Sequence, residues 1–177
     1  MKLLAISGSA RLSSTNTALL RALAEVSPVE IEVLHTLHHL PVFSPDLEGA
    51  KTPDVVAGFV KSIERADGLI ISSPEYVHAI PGGLKNAIDW LVSGEVIINK
   101  PVALIHASHR GDDMLASLRL VLGTVTAEFQ EYLFLRFPLV SKTPEEVAEY
   151  MRNPENRAQL QGFIADFSAV ISEPLSL

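Results

Sequence analysis

The 177-residue chain contains no cysteine. That absence excludes a disulfide framework, thiolate metal sites, dithiol redox chemistry and a cysteine nucleophile together. Any redox chemistry must then belong to a bound cofactor. Cations are also scarce: 14 Lys and Arg stand against 21 Asp and Glu, a formal net charge of -7. Binding a phosphate backbone needs clustered Lys and Arg that outnumber local acids, which sets nucleic acid aside. Long apolar runs are missing too. The opening MKLLAISGSARL meets Ser, Gly and Arg too early for a signal peptide or a membrane span. The expectation is a cytoplasmic protein with no membrane partner. No internal repeat, low-complexity run or linker divides the chain, so residues 1–177 are expected to form a single domain. That length buries roughly two-thirds of the unfolded surface without staples.

What is present is a regular alternation. Apolar segments of strand length occur at 3–7 (LLAIS), 29–34 (VEIEVL), 68–73 (GLIISS), 102–108 (VALIHAS) and 132–137 (YLFLRF). Helical patterns fall between and after them, roughly at 15–26, 53–66, 82–93, 112–127 and 155–172. The first, third and fourth apolar segments are nearly continuous in Leu, Ile, Val and Ala, as strands buried on both faces of a parallel sheet are. Leu84, Ala87, Ile88 and Leu91 form a stripe at i, i+3, i+4 and i+7 that can pack on such a sheet. In the last helix, Leu160, Phe163, Ile164, Phe167, Val170 and Ile171 do the same. Strict alternation predicts a doubly wound α/β fold with helices on both faces. The stretch 41–54, PVFSPDLEGAKTPD, lacks periodicity and reads as an extended surface loop.

Ligands of such sheets bind beyond the carboxyl ends of the strands, near the topological switch point. Three loops lie there: 7–16, 73–82 and 107–113. The first, SGSARLSSTN, offers a tight turn at Gly8, hydroxyls at Ser9, Ser13, Ser14 and Thr15, and the Asn16 amide. It leads into a helix whose positive end favours an anion, and Arg11 can add a charge-assisted fork to phosphate oxygens. It is neither of the familiar glycine-rich nucleotide patterns. Capping of the helix would use the same Ser and Thr without any ligand, and composition leaves the two readings level. The second loop is bracketed by Pro74 and Pro81 and presents Glu75, Tyr76 and His78.

Taken together, GSARLSSTN (8–16) and PEYVHAIPGGLKNAIDW (74–90) resemble the NADPH-dependent FMN reductase family of flavodoxin-like proteins. LPVFSPDLEG (40–49) is similar to that family's loop after the second strand, and the resemblance runs over about residues 1–125. It implies a five-stranded parallel sheet in the order 2-1-3-4-5. It implies FMN as cofactor, NADPH or NADH as electron donor, and a quinone-like or other small molecule as acceptor. Ser9, Arg11, Ser14, Thr15 and Asn16 would hold the FMN phosphate. Pro74, Glu75, Tyr76 and Val77 would lie along the isoalloxazine ring with His78 beside them, and Ser108 and Gly111 would close the pocket. Hydride transfer on a flavin needs no side-chain acid or base, so no catalytic side chain is named. A homodimer or homotetramer with the flavin near the subunit boundary is implied as well.

Three positions depart from the family pattern. Val77 stands where the family has Asn, Ala79 where it has Ser, and RGDDML (110–115) where a glycine-rich run is expected. A flavodoxin-type electron carrier and a flavin-free binding scaffold are therefore the competing functions. His35, His38 and His39 have no further ligand at a familiar spacing, and no metal is expected. His106 and His109 read as structural or pocket-lining, Asp89 and Trp90 as pairing and packing, and Arg110-Gly111-Asp112 as a chance likeness to an adhesion motif.

Overall fold

A computed structural model describes residues 1–173. Five strands, β1 (Lys2–Ser7), β2 (Glu30–Leu34), β3 (Gly68–Ser72), β4 (Val102–His106) and β5 (Phe129–Arg136), form one parallel sheet in the order β2-β1-β3-β4-β5. This is the expected flavodoxin-like order. The inner strands β1, β3 and β4 are buried almost throughout, whereas β2 and β5, at the edges, are only half covered.

Successive strand residues point to opposite faces, and each face carries its own core. Leu3, Ala5, Ile70, Ala103 and Ile105 meet α1 (Thr15–Val26), α5 (Pro144–Arg152) and α6 (Pro154–Ser172). Leu4, Ile6, Leu69, Ile71 and Leu104 meet α2 (Asp54–Arg65), α3 (Gly82–Val92) and α4 (Asp112–Val125). The α3 stripe Leu84, Ala87, Ile88 and Leu91 is buried in the second core. Leu160, Phe163, Ile164 and Phe167 are buried in the first. Truncating one fully buried side chain such as Phe167 to Ala would cost about 3–5 kcal/mol.

The structure departs from expectation at the carboxyl-terminal end. Helix α5 stands where no element was expected. Its nine residues bury only Val147 and Met151, too little for a visible period, yet a capping box fixes its start. Thr143 Oγ1 accepts from Glu146 N–H (3.2 Å) while the Glu146 carboxylate accepts from Thr143 N–H (2.7 Å). Asn153 then caps α6 and separates the two helices. Strand β5 begins at Phe129, not at 132, because its opening residues run along the sheet edge past a register shift between Val102 and Leu104.

The 41–54 stretch contains two 3-10 turns, Pro45–Leu47 and Gly49–Lys51, and is fastened to α3. Phe43 N–H donates to Asn86 Oδ1 (2.8 Å), and Asn86 Nδ2 and Trp90 Nε1 both donate to the Pro41 carbonyl (2.9 and 2.8 Å). Asp89 pairs with Lys85 one turn back. Asp89 and Trp90 thus pair and pack, as expected. No helix among the described residues is long and apolar enough to cross a membrane.

Candidate functional site

The carboxyl ends of β1 and β3 are pressed together. Gly8 N–H donates to the Ser72 carbonyl at 2.8 Å, and a Cβ on Gly8 would lie 2.5 Å from Ser73 Oγ. Only glycine fits there, and the close approach brings the first loop against the second. Behind it runs a buried hydroxyl network: Thr17 Oγ1 donates to Ser7 Oγ (2.8 Å) and Ser72 Oγ donates to Asn16 Oδ1 (2.9 Å). Ser9 is buried, with Oγ accepting from Arg11 N–H (3.3 Å), and Ser14 caps α1 by accepting from Thr17 N–H (3.3 Å). These serines shape the loop from behind. Arg11, Ser13, Thr15 and Asn16 line the open side. The first turn of α1 has no acidic residue to offset the positive end of the helix.

The second loop makes a two-residue turn. Tyr76 and Ala79 exchange backbone hydrogen bonds (3.2 and 3.0 Å), with Val77 and His78 at φ +52° and +57°. Both central residues at positive φ make a type I′ turn, which favours Asn and Gly. Val77 is β-branched and 95% exposed, so nothing packs to offset its strain. The turn is tied to α4 twice. Glu75 Oε2 accepts from Met114 N–H (3.0 Å), and His78 Nδ1 lies 2.6 Å from Asp113 Oδ2. Polar atoms of Glu75, His78 and Asp113 fall within 4.8 Å of one another. The hydrogen bond and charge of Asp113, with Glu75 adding, raise the His78 pKa above its ordinary value.

The third loop turns on His106, the last residue of β4, which is 1% exposed. Its Nε2 lies 2.6 Å from the Arg110 carbonyl, an acceptor that assigns the hydrogen to Nε2. Nδ1 is buried without a hydrogen-bond partner. Burial is the largest effect on this ring and lowers its pKa, against the Arg110 carbonyl, which favours the charged form. Gly111 opens α4 at φ +100°, where a Cβ would sit 3.0 Å from His106 Nε2. Ser108 Oγ accepts from Arg110 N–H (2.9 Å) and tightens the same turn.

These loops enclose a cleft of about 650 Å³, a size suited to a cofactor. Of the expected site residues, Arg11, Thr15, Asn16, Pro74, Glu75, Ser108 and Gly111 line it together. Ser9 and Ser14 stand behind the first loop, and Tyr76, Val77 and His78 form the turn that follows the lining residues Pro74 and Glu75. His106 lines it too, consistent with the pocket-lining role read for it. A fourth wall, Val140–Glu145, brings Lys142 to the cleft and lies outside the three loops singled out in the sequence. Its one sequence signal is the Thr-Pro-Glu-Glu start of α5. An acid-free helix end, hydroxyls and Arg11 on one side, and a glycine-opened slot between 74–75 and 107–111 on another, suit a phosphate and a flat ring, the two parts of FMN.

Comparison with known proteins gives the same picture. The chain is 35% identical over 116 residues to a quinone reductase of Escherichia coli strain K12, covering 63% of this chain and 61% of that protein. It is 43% identical over 96 residues to an NAD(P)H:quinone oxidoreductase of Solanum tuberosum, 51% and 49% of the two chains. The chain thus spans about three-fifths or less of these curated relatives. Over the whole fold it is similar to FerB, a flavoenzyme NAD(P)H:(acceptor) oxidoreductase from Paracoccus denitrificans, at TM-score 0.74, 26% identity and 97% coverage of both chains. Flavodoxin 1 of Bacillus cereus shares the fold at TM-score 0.60 and 19% identity, over 96% of this chain and 98% of that one. The profile of the NADPH-dependent FMN reductases matches residues 1–132, and the chain belongs to that family.

Proposed function

We propose that the protein is an NAD(P)H-dependent FMN oxidoreductase acting on quinone-like or other small acceptors. The observation that carries this reading is the single cleft joining Arg11, Thr15 and Asn16 to Pro74, Glu75, Ser108 and Gly111. In it, Arg11, Ser13, Thr15 and the free N–H groups of α1 would hold the FMN phosphate. Ser9, Ser14 and Asn16 keep that loop in shape through their own hydrogen bonds. Backbone groups of Pro74 to His78 and of Ser108 to Gly111 would border the ring. Bound FMN supplies hydride acceptance from NADPH or NADH and electron delivery to the acceptor.

The chain's own part is position, polarity and access. N–H dipoles fixed in the loops offset negative charge on the ring at no reorganisation cost. Exposed Tyr76 and Val77 put apolar surface on the turn next to the lining residues Pro74 and Glu75, a surface suited to a flat acceptor. No metal is assigned a role. Assembly as a homodimer or homotetramer and a cytoplasmic location, both suggested by the sequence and the family resemblance, complete the reading.

The test is a titration of FMN into flavin-stripped protein followed by flavin fluorescence, then anaerobic addition of NADPH. Saturable binding and bleaching of the oxidised flavin are expected. Binding without bleaching by NADPH or NADH would point instead to an electron carrier, and no binding to a flavin-free scaffold.

A further inference from the structure

We propose, resting on the reading that FMN occupies the cleft, that His106 stores the proton that accompanies flavin reduction. The ring is neutral while the flavin is oxidised and an imidazolium while it is reduced. His106 acts through charge and not through contact with the reacting atoms.

The geometry supplies three reasons. First, His106 is buried in the lining of the cleft, on the strand end between the two loops that would border the flavin. Second, its Nδ1 has no partner while Nε2–H is spent on the Arg110 carbonyl. A buried unpaired ring nitrogen is costly and calls for an account, and a proton on Nδ1 gives one. The Ser73 carbonyl, like that of Arg110, favours the charged ring. Third, the fixed charges that act on it oppose one another in sign. Arg136 from β5 disfavours the imidazolium and Asp112 from α4 favours it, and these two are paired with each other at 2.5 Å. Glu75 on the opposite loop approaches Gly111, but its carboxylate is engaged on Met114 N–H. Burial, the largest effect, keeps the ring neutral against the pull of the two carbonyls. Negative charge on a flavin held in the cleft would favour the imidazolium and raise the pKa of the ring. His78 is a poorer candidate, because it is exposed and already paired with Asp113.

The step balances as follows. Hydride from the nicotinamide brings two electrons and one proton, so the bound flavin gains one negative charge and the nicotinamide leaves oxidised. One proton is taken up from solvent by the loaded protein and held at His106 Nδ1. When a quinone-class acceptor takes two electrons and the hydride-derived proton, His106 releases its proton too. The acceptor leaves as the hydroquinone, with two electrons and two protons.

The test uses FMN-loaded protein labelled with ¹⁵N-histidine, after fluorescence titration has established loading. Failure to load would overturn the reading of the cleft, and the proposal with it. In loaded protein, the His106 nitrogen resonances should report one protonated ring nitrogen in the oxidised state and two in the reduced state, with the titration midpoint at least one pH unit higher on reduction. The same protonation in both states would overturn the proposal while leaving the cleft reading intact. Each additional proton taken up per two electrons adds about 30 mV to the midpoint potential for every tenfold change in proton concentration. Wild type should carry that extra slope and His106→Gln should lose it. A slope unchanged by the substitution would mean that the proton sits elsewhere. If His106→Gln does not fold, the resonances of the wild type decide alone.

Discussion

His78 and Asp113 meet at 2.6 Å, joining the turn after β3 to the first turn of α4. Asp113 raises the His78 pKa above 6.5 by hydrogen bond and charge. A raised pKa means that the charged clamp is complete below the ordinary histidine value and is lost as pH rises through the raised one. Asp113→Asn should return the His78 titration midpoint, followed by NMR, to near its ordinary value. A midpoint that stays raised would assign the shift to Glu75 instead.

Arg11 is exposed and lines the cleft beside the acid-free end of α1. Hydrogen bonds to charged groups contribute about 1.5–3 kcal/mol. Arg11→Ala should therefore weaken FMN binding by roughly 10- to 150-fold, with little change in thermal stability. Fluorescence titration of the variant checks this. Unchanged affinity would move the phosphate elsewhere in the cleft.

Val77 sits at φ +52° in a turn that favours Asn. Val77→Asn should raise the stability of the protein by about 1 kcal/mol, since strain of this kind costs about 1–3 kcal/mol. The expected readout is a higher urea midpoint with an unchanged slope. A lower midpoint would mean that the exposed valine is covered by something in solution, such as a second copy of the chain.

Asn86 satisfies both Phe43 N–H and the Pro41 carbonyl. Asn86→Ala leaves Phe43 N–H without its acceptor, a loss of about 1–3 kcal/mol. Hydrogen exchange at Phe43 should accelerate together with that of residues 46–51, which hang from the same anchor.

Much of this was legible in the chain itself, and the exceptions have physical causes. The buried strands declared themselves through unbroken Leu, Ile and Val, as in GLIIS at 68–72, because a strand covered on both faces has no polar side to show. Helix α5 hid because a short helix with two buried residues has no period, and only its Thr143–Glu146 box marked it. Among the residues that line the cleft, Arg11 was singled out from type and place, and Gly111 only through the family resemblance. The separation of Ser9 and Ser14 from Ser13 and Thr15 was not, since all four offer the same hydroxyl and only the path of the loop decides which faces inward. The link between His78 and Asp113, like the free Nδ1 of His106, depends on two loops meeting in space, and spacing along the chain carries no trace of that.

The wall formed by Val140–Glu145 lies beyond residue 132, where the family profile ends, and it leads into α5 and α6, which cover α1 and one face of the sheet. One side of the cleft is therefore built from a part of the sequence outside the stretch that matches the family. A fragment cut at the end of the family match would lose both that wall and the helices that close the core on one face of the sheet.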